Sequence, residues 1–258
     1  MDMDDYTVFK ELVYRKTGID LSSYKEKQMK RRIESLASRN GYQTLSEYYK
    51  GINSDEKLYN EFINYITINV SEFYRNPGQW RVLEEEILPS LMERKRSLKI
   101  WSSACSTGEE PYSLVMLLSR YIRLNEIKIL ATDIDRQAME KAKTGIYKEK
   151  SLQNLPKEFV SKYFRKNNND FEIIEEVKAR VEFGFLDLLR DSFPKGCDLI
   201  LCRNVLIYFT EEAKQQIYSK FYDALEPGGI LFVGSTEQII MPNRYKLSPV
   251  ETFFYRKM

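Results

Sequence analysis

The apolar residues of the first part of the chain recur at helical spacing from Tyr6 to about Ile66. Gly18 and Gly41 interrupt the series and mark turns between helical pieces. The repeating positions are Val8, Phe9, Leu12, Val13, Met29, Ile33, Leu36, Phe62, Tyr65 and Ile66. The pattern predicts a small all-α domain of about four helices over residues 1–66. Residues 67–97 are predicted to form a linker and a connecting helix from about Gln79 to Arg96.

From residue 98 onward, short apolar runs alternate with helical stretches of about a dozen residues. This alternation predicts an α/β fold with a parallel, doubly wound sheet over residues 98–258. A closing strand pair in residues 245–256 adds an antiparallel edge. Residues 148–180 interrupt the alternation and are predicted to be an inserted small subdomain. The predicted strands before the closing pair are Ile100–Trp101, Lys128–Thr132, Val181–Phe185, Cys197–Leu201 and Gly228–Gly234.

The turn between the first strand and the next helix carries candidate chemistry. Its sequence, LKIWSSACSTGEEPYSLV, passes through Gly108 and places Glu109 and Glu110 before Pro111. A strand–turn–helix of this kind binds nucleotide-like ligands, but two carboxylates would repel a pyrophosphate and attract an ammonium group. S-adenosylmethionine carries such a group. The alternative is an ordinary turn with solvated glutamates.

Acidic residues also follow the later strands. Asp133 ends the second strand, where a carboxylate can accept hydrogen bonds from both hydroxyls of a ribose. We interpret Asp135 as the N-cap of the next helix. Asp187 and Leu188 follow the third strand and are expected to flank an adenine.

The segment between the two predicted domains places polar residues among apolar and aromatic ones. Asn69, Ser71 and Arg75 lie within ITINVSEFYRNPGQW. Beside a ligand site, Arg75 could bind a carboxylate through two parallel hydrogen bonds. Alone, the segment could equally be a helix end with one surface arginine.

Composition narrows the chemistry further. The chain has 258 residues, with 43% hydrophobic and 30% charged, as in soluble globular proteins. No apolar run is long enough to span a bilayer, and the acidic start lacks the basic region of a signal peptide. The net charge of +2 favours no particular partner. We therefore expect a cytoplasmic protein without membrane insertion, and nothing demands more than a monomer.

The sequence contains no histidine. No metal site is therefore expected, and a serine or cysteine hydrolase would lack its usual base. The three cysteines have no CxxC spacing and are expected to be buried, reduced thiols. Methyl transfer to a carboxylate needs no base, because a glutamate is already ionised near neutral pH.

A basic segment runs from Lys25 to Arg39. It is either a solvated helix surface or an electrostatic docking face for an acidic partner helix. The basic residues are Lys25, Lys27, Lys30, Arg31, Arg32 and Arg39.

The order of these features resembles one known family. A basic helical domain, N-x-S-x-F-Y-R, ACSTGEEPYS, ATDID, CRNVLIYF and LEPGGILFVGSTE follow one another from about Tyr6 to Tyr255. Together they are similar to the chemotaxis receptor glutamate O-methyltransferases, the CheR family. The resemblance implies a Rossmann-like methyltransferase sheet that binds S-adenosylmethionine and releases S-adenosylhomocysteine. The implied substrates are glutamates on the cytoplasmic helices of chemoreceptors, methylated during adaptation in bacterial chemotaxis.

The resemblance also assigns residues. It implies that the donor is bound by Asn69, Ser71, Arg75, Glu109, Asp133, Asp187, Leu188, Arg203 and Asn204. Arg75 and Tyr208 would orient the incoming carboxylate, although Tyr208 could instead be a core aromatic residue. The family often has threonine where this chain has Ser71, and asparagine where it has Asp187.

In the family, the inserted segment is a small antiparallel subdomain, and some members use a glycine-containing loop there to bind a receptor's C-terminal peptide. This chain has no glycine between Ile146 and Phe183. We expect it to work without such a tether and to find receptors through the basic helix.

Two other classes of function stay open. A nucleic-acid methyltransferase is disfavoured because Arg203-Asn204-Val205-Leu206 replaces the usual base-gripping cluster. A non-catalytic regulator is disfavoured by Arg75 and Tyr208.

Overall fold

The computed structural model describes residues 4–258, so the first three residues of the predicted 1–66 domain lie outside it. The chain forms two compact units. The helical unit extends to Asn69 and includes Tyr208–Gln215. The α/β unit comprises Val70–Ile207 and Gln216–Met258.

The helical unit is built from α1 (Asp5–Thr17), α2 (Glu26–Arg39), α3 (Leu45–Ser54) and α4 (Glu56–Thr67). Local chemistry sets their ends. Gly18 ends α1 in the left-handed conformation, with φ 78°. The Thr44 hydroxyl caps α3 and the Asp55 carboxylate caps α4, each by accepting backbone N–H groups.

Aromatic side chains form the core of the helical unit. Phe9 lies 5.8 Å from Phe62 and 6.3 Å from Tyr48, measured between ring centroids. The segment Tyr208–Gln215 is joined to the rest of this unit by backbone hydrogen bonds. The Lys25 N–H donates to the Tyr208 carbonyl at 2.8 Å. The prediction of four helices from the apolar spacing is confirmed.

In the α/β unit, a continuous helix precedes the sheet. It consists of α5 (Pro77–Val82), a π-helical turn (Leu83–Ile87) and α6 (Leu88–Arg94). The π turn precedes Pro89, which has no N–H to donate and so interrupts the α-helical ladder. The predicted connecting helix from Gln79 to Arg96 is present, and both of its ends lie two residues earlier than predicted.

The remaining elements follow in chain order. The strands are β1 (Ile100–Ser102), β2 (Ile129–Asp133), β3 (Ile146–Lys148), β4 (Phe164–Asn167), β5 (Asp170–Ile173), β6 (Val181–Phe185), β7 (Cys197–Cys202), β8 (Leu225–Val233), β9 (Leu247–Glu251) and β10 (Phe254–Lys257). The helices are α7 (Glu109–Leu118), α8 (Arg136–Thr144), α9 (Lys157–Tyr163), α10 (Glu175–Lys178) and α11 (Glu211–Ala224).

The main sheet has seven strands in the order β6-β2-β1-β7-β8-β10-β9. The strands from β6 to β8 are parallel, whereas β10 pairs antiparallel with both β8 and β9. The fold is therefore the Rossmann-like α/β sheet expected from the sequence, with the antiparallel closing strand pair. A separate sheet of order β3-β5-β4 is antiparallel and corresponds to the predicted insertion.

The strands nearest the middle of the main sheet are buried on both faces. The burial pattern of β1 and β7 is continuous, as expected of parallel strands covered by helices. Cys105, Cys197 and Cys202 are free and buried, as predicted. Within residues 4–258, no helix has both the length and the apolar character needed to cross a membrane.

Candidate active site

Most of the predicted site residues of the α/β unit lie at or just beyond the carboxyl ends of β1, β2, β6 and β7, whereas Ser71 and Arg75 precede the sheet. β1 pairs with β2 on one side and with β7 on the other. The chain progresses from β1 toward β6 and then returns to β7, so the order of strands switches between β1 and β7. Such a switch point opens a crevice beyond the strand ends, where α/β proteins bind ligands.

Gly108 shapes the turn that follows β1. It caps α7 with φ 92°, a conformation that favours glycine. A side-chain carbon at this position would lie 2.8 Å from the Ala142 Cβ and 3.0 Å from the Tyr147 hydroxyl. The turn therefore needs glycine for both its conformation and its packing. It delivers Glu109 and Glu110 to the start of α7.

Glu109 is a buried carboxylate, with 4% of its surface exposed. Its partners are hydroxyl groups: Thr107 Oγ1 donates to Oε2 at 2.7 Å, and the Ser71 side chain also forms a hydrogen bond with it. Burial raises the pKa of Glu109, and these hydrogen bonds partly oppose the shift. Among residues 4–258, no lysine or arginine lies within ion-pair distance of it. This negative site therefore suits a positively charged ligand.

Glu110 has a different environment. It accepts from the Ser102 hydroxyl at 2.8 Å and pairs with Arg203, whose Nη1 lies 3.3 Å from Glu110 Oε2. Burial raises the pKa of Glu110 and lowers that of Arg203, and the pairing opposes both shifts. The Arg203 Nη2 also donates to the Arg75 carbonyl at 2.7 Å and to Gln79 Oε1 at 2.8 Å. Arg203 thus connects the start of α7 to the segment that carries Arg75.

The Arg75 segment is held in a constrained turn. Tyr74 and Asn76 have φ values of 52° and 62°, which are uncommon for residues other than glycine. The Trp80 indole N–H donates to the Arg75 carbonyl at 3.1 Å. The Arg75 side chain is half-buried, and its Nη1 donates to the Val70 carbonyl at 2.9 Å. The backbone at Arg75 is fixed by its neighbours, and its guanidinium is the charged group that this turn presents.

Asp133 ends β2 and is buried. Its two carboxylate oxygens accept the backbone N–H groups of Ser106, at 2.7 Å, and Asp135, at 2.9 Å. Burial raises the pKa of Asp133 to about 6, and the backbone hydrogen bonds oppose this shift. Asp135 accepts the N–H groups of Gln137 and Ala138, so its predicted role as the N-cap of α8 is confirmed.

Asp187 and Leu188 are both buried after β6. Asp187 Oδ1 accepts the Leu189 N–H at 2.8 Å, and burial raises the pKa of Asp187. The Lys220 Nζ donates to the Leu188 carbonyl at 2.8 Å. These contacts stabilise the loop at the edge of the crevice on which the adenine is expected.

Asn69 and Tyr208 belong to the helical unit. The Asn69 Nδ2 donates to the Thr67 hydroxyl at 3.1 Å. In the same unit, the basic residues of α2 and its N-cap differ in environment. Lys30 pairs with Asp4, and Arg32 donates to the Tyr65 carbonyl at 2.6 Å. The side chains of Lys25, Lys27, Arg31 and Arg39 are exposed, with Arg39 over the Tyr65 ring.

Sequence reasoning assigned no role to Glu237. This residue is buried in the turn after β8, and its carboxylate accepts backbone N–H groups of the loop after β7. The sequence gives little indication of this role, because Glu237 is a single acidic residue three positions after Gly234, at the end of LEPGGILFVGSTE. Gln79 also went unassigned because it lies in an apolar helix start.

The sequence is similar to family models and to known proteins over nearly its whole length. Residues 69–254 match the model of the CheR methyltransferase, SAM binding domain, and residues 4–67 match that of the CheR methyltransferase, all-alpha domain. A chemotaxis protein methyltransferase of Listeria innocua is 44% identical, covering 98% of this chain and 97% of that protein. The protein of that name from Borreliella burgdorferi is 36% identical over 94% of each chain. The one from Escherichia coli K12 is 32% identical over 88% and 82%.

Proposed function

Since the chain belongs to the CheR methyltransferase family, we propose that it methylates glutamate side chains in the cytoplasmic helical domains of chemoreceptors, for adaptation in chemotaxis. It is a methyltransferase whose donor is S-adenosylmethionine. The acceptor is a glutamate carboxylate, and the products are a glutamate methyl ester and S-adenosylhomocysteine.

The buried carboxylate of Glu109 is the observation that carries this proposal. A buried carboxylate without a cationic partner is costly to a fold, because it loses its hydration and gains no opposite charge. The donor supplies both an ammonium and a sulfonium group. We assign the ammonium to Glu109 and the ribose hydroxyls to Asp133. Asp187 and Leu188 flank the adenine, and Ser71 and Asn204 complete the part of the donor site that the α/β unit supplies.

Arg75 is proposed to orient the acceptor. In the reaction, an oxygen of the glutamate carboxylate forms a bond to the methyl carbon while the carbon–sulfur bond breaks. The electron pair of that bond returns to sulfur, which becomes a neutral thioether, and no proton is transferred. Alignment and exclusion of water therefore dominate, and such positioning can supply about 7–11 kcal/mol. Arg75 holds the carboxylate in line.

The contacts of Arg203 favour an indirect role at the donor. Its guanidinium already bonds Glu110, Gln79 and the Arg75 carbonyl. We therefore propose that Arg203 positions Arg75 and closes the crevice wall, rather than bonding to the donor itself.

Receptor recognition is assigned to the helical domain, residues 1–66. Its exposed cations, above all Lys27 and Arg31, are suited to an acidic helix surface. The β4–β5 turn consists of Asn168 and Asn169, between the paired residues Asn167 and Asp170. This two-residue turn lacks the glycine of the loop that some family members use to bind such a peptide, so we propose that no C-terminal receptor tether is used. Calorimetry with an isolated receptor C-terminal peptide tests this, and micromolar or tighter binding would contradict it.

The function is tested with radiolabelled donor and receptor-bearing membranes. Treatment of the product with base should release volatile labelled methanol, which identifies a carboxyl methyl ester. Label that stays on the protein after base, or label found in added nucleic acid, would overturn the proposed substrate class.

A further inference from the structure

The Glu237 carboxylate gathers four backbone N–H groups from two loops. Its Oε2 accepts the N–H of Asn204 at 2.5 Å and that of Gly234 at 2.8 Å. Its Oε1 accepts the N–H of Leu206 at 2.6 Å and that of Ile207 at 3.3 Å. One buried side chain therefore joins the loop after β7 to the turn after β8.

This arrangement is built into the local sequence. Glu237 is 5% exposed. If its carboxylate were removed, few water molecules could reach the four N–H groups to replace its oxygens as acceptors. The Glu237 N–H donates to the Gly234 carbonyl at 3.0 Å, which closes the turn. A side-chain carbon at Gly234 would lie 2.7 Å from the Asn204 nitrogen and would also overlap Glu237 Oε2. Glycine at position 234 is what allows the two loops to approach.

The bonds of Glu237 fix an uncommon backbone conformation. Asn204 has φ 61°, in the left-handed region. The preceding residue, Arg203, bonds the Arg75 carbonyl, and the Asn204 N–H is itself one of the four donors. The carboxylate thus lies behind both residues that we place at the wall of the crevice. Burial raises the pKa of Glu237, and the four hydrogen bonds oppose the shift.

We propose that Glu237 is a positioning residue for methyl transfer. It holds the loop after β7 so that Asn204 faces the donor and Arg203 supports Arg75. This inference rests on the proposed function, because it takes the crevice to be the donor site.

Glu237→Gln is the principal test. The amide keeps the shape of the side chain but replaces one acceptor oxygen with a donor that faces backbone N–H groups. Asp198→Asn is the matched control. Asp198 is a buried carboxylate near the opposite end of β7, where it accepts the Lys99 N–H at 2.7 Å and pairs with Lys95 at 2.9 Å. Both variants should lower the melting temperature.

Only Glu237→Gln should weaken binding of S-adenosylhomocysteine in calorimetry, by about tenfold or more, and lower kcat at saturating donor. The KM for receptor should change little in either variant. If Glu237→Gln fails to fold, Glu237→Asp replaces it, because aspartate keeps the charge but has a shorter side chain. Its product affinity and kcat should likewise fall below those of Asp198→Asn. Equal product affinity and kcat in the Glu237 and Asp198 variants would overturn the positioning role. Failure of the parent protein to bind S-adenosylhomocysteine would instead refute the proposed function.

Discussion

The two units of this protein treat charge in opposite ways. In residues 4–258, the buried charged side chains all lie in the α/β unit: Glu109, Asp133, Asp135, Asp187, Asp198, Arg203 and Glu237. The buried side chains of the helical unit are apolar or belong to tyrosines, and its charges remain at least partly exposed. A buried charge costs free energy because it loses its hydration, and it is retained where it makes specific, geometrically defined bonds. An exposed charge keeps its hydration and can attract an oppositely charged partner at long range. The α/β unit is therefore suited to chemistry and the helical unit to recognition.

The Glu110–Arg203 pair illustrates this difference. The side chains of Arg203 and Glu110 are only 2% and 13% exposed. An ion pair so little exposed is weak support for stability, because desolvation of both groups offsets their attraction. Its value here is geometric. The pair fixes one guanidinium, and that guanidinium fixes the Arg75 carbonyl. In the helical unit, by contrast, the Lys10–Glu26 contact at 3.3 Å involves a glutamate that is mostly exposed to solvent. Such pairs contribute little.

Replacement of Arg75 should separate chemistry from folding most sharply. Arg75→Ala removes the group that aligns the acceptor, so kcat should fall by a factor on the order of 10²–10³. The backbone carbonyl at position 75 keeps its bonds to Trp80 and Arg203, so the melting temperature should barely change. Arg81→Ala, at an exposed arginine of α5, is the matched control. Activity of Arg75→Ala within a few-fold of the parent would remove Arg75 from the mechanism.

Asp133 offers the next largest effect, through pH. The ribose hydroxyls need an ionised acceptor, and the pKa of Asp133 is raised to about 6. Above that pH the carboxylate is charged and binding is strongest. Below it a proton must first leave, so the Kd for S-adenosylhomocysteine should rise about tenfold for each pH unit. Glu109, whose pKa is also raised, adds to the slope at the acid end.

Asp133→Asn should bind S-adenosylhomocysteine weakly, as measured by calorimetry between pH 5 and 8. The pH dependence of its Kd should involve one proton fewer than that of the parent. Asp135→Asn is the control, because asparagine caps a helix as well as aspartate does. If the pH dependence of Asp133→Asn matches that of the parent, the ribose assignment is wrong.

The part of the site that the sequence predicted is the part that depends on local order. Asp133 ends β2, Asp135 lies two residues later, and Gly108 and Glu109 lie where the turn after β1 enters α7. Strand ends in a parallel sheet meet at one edge. The helices of the first unit were equally predictable, because apolar spacing and turn glycines are local signals. The prediction of an antiparallel insertion, and the roles that we predicted for Asn204 and Tyr208, required the family resemblance.

Contacts between distant residues could not be predicted from the sequence. Arg203 and Arg75 are 128 positions apart, and their hydrogen bond depends on how the folded chain brings the loop after β7 to the segment before α5. Glu237 lies 33 positions from the N–H that it accepts at Asn204. The basic segment was also a uniform run in the sequence, whereas the structure separates Arg32, bonded to Tyr65, from the exposed Lys27 and Arg31. Packing alone makes that distinction.

Charge reversal in α2 should produce the smallest effect and the one most sensitive to salt. Lys27→Glu and Arg31→Glu together should slow receptor methylation about three- to tenfold at low ionic strength, because exposed charges steer association rather than form buried bonds. The deficit should shrink as salt rises from about 0.1 to 1 M, where the screening length falls from about 10 to 3 Å. Lys57→Glu, at an exposed lysine of α4, shifts the net charge by half as much and controls for a general effect of added negative charge. Product affinity should be unaffected in both variants, because these exposed charges are not among the proposed donor-binding residues. A salt-independent loss, or an equal loss in Lys57→Glu, would show that α2 is only a solvated surface and that recognition resides elsewhere.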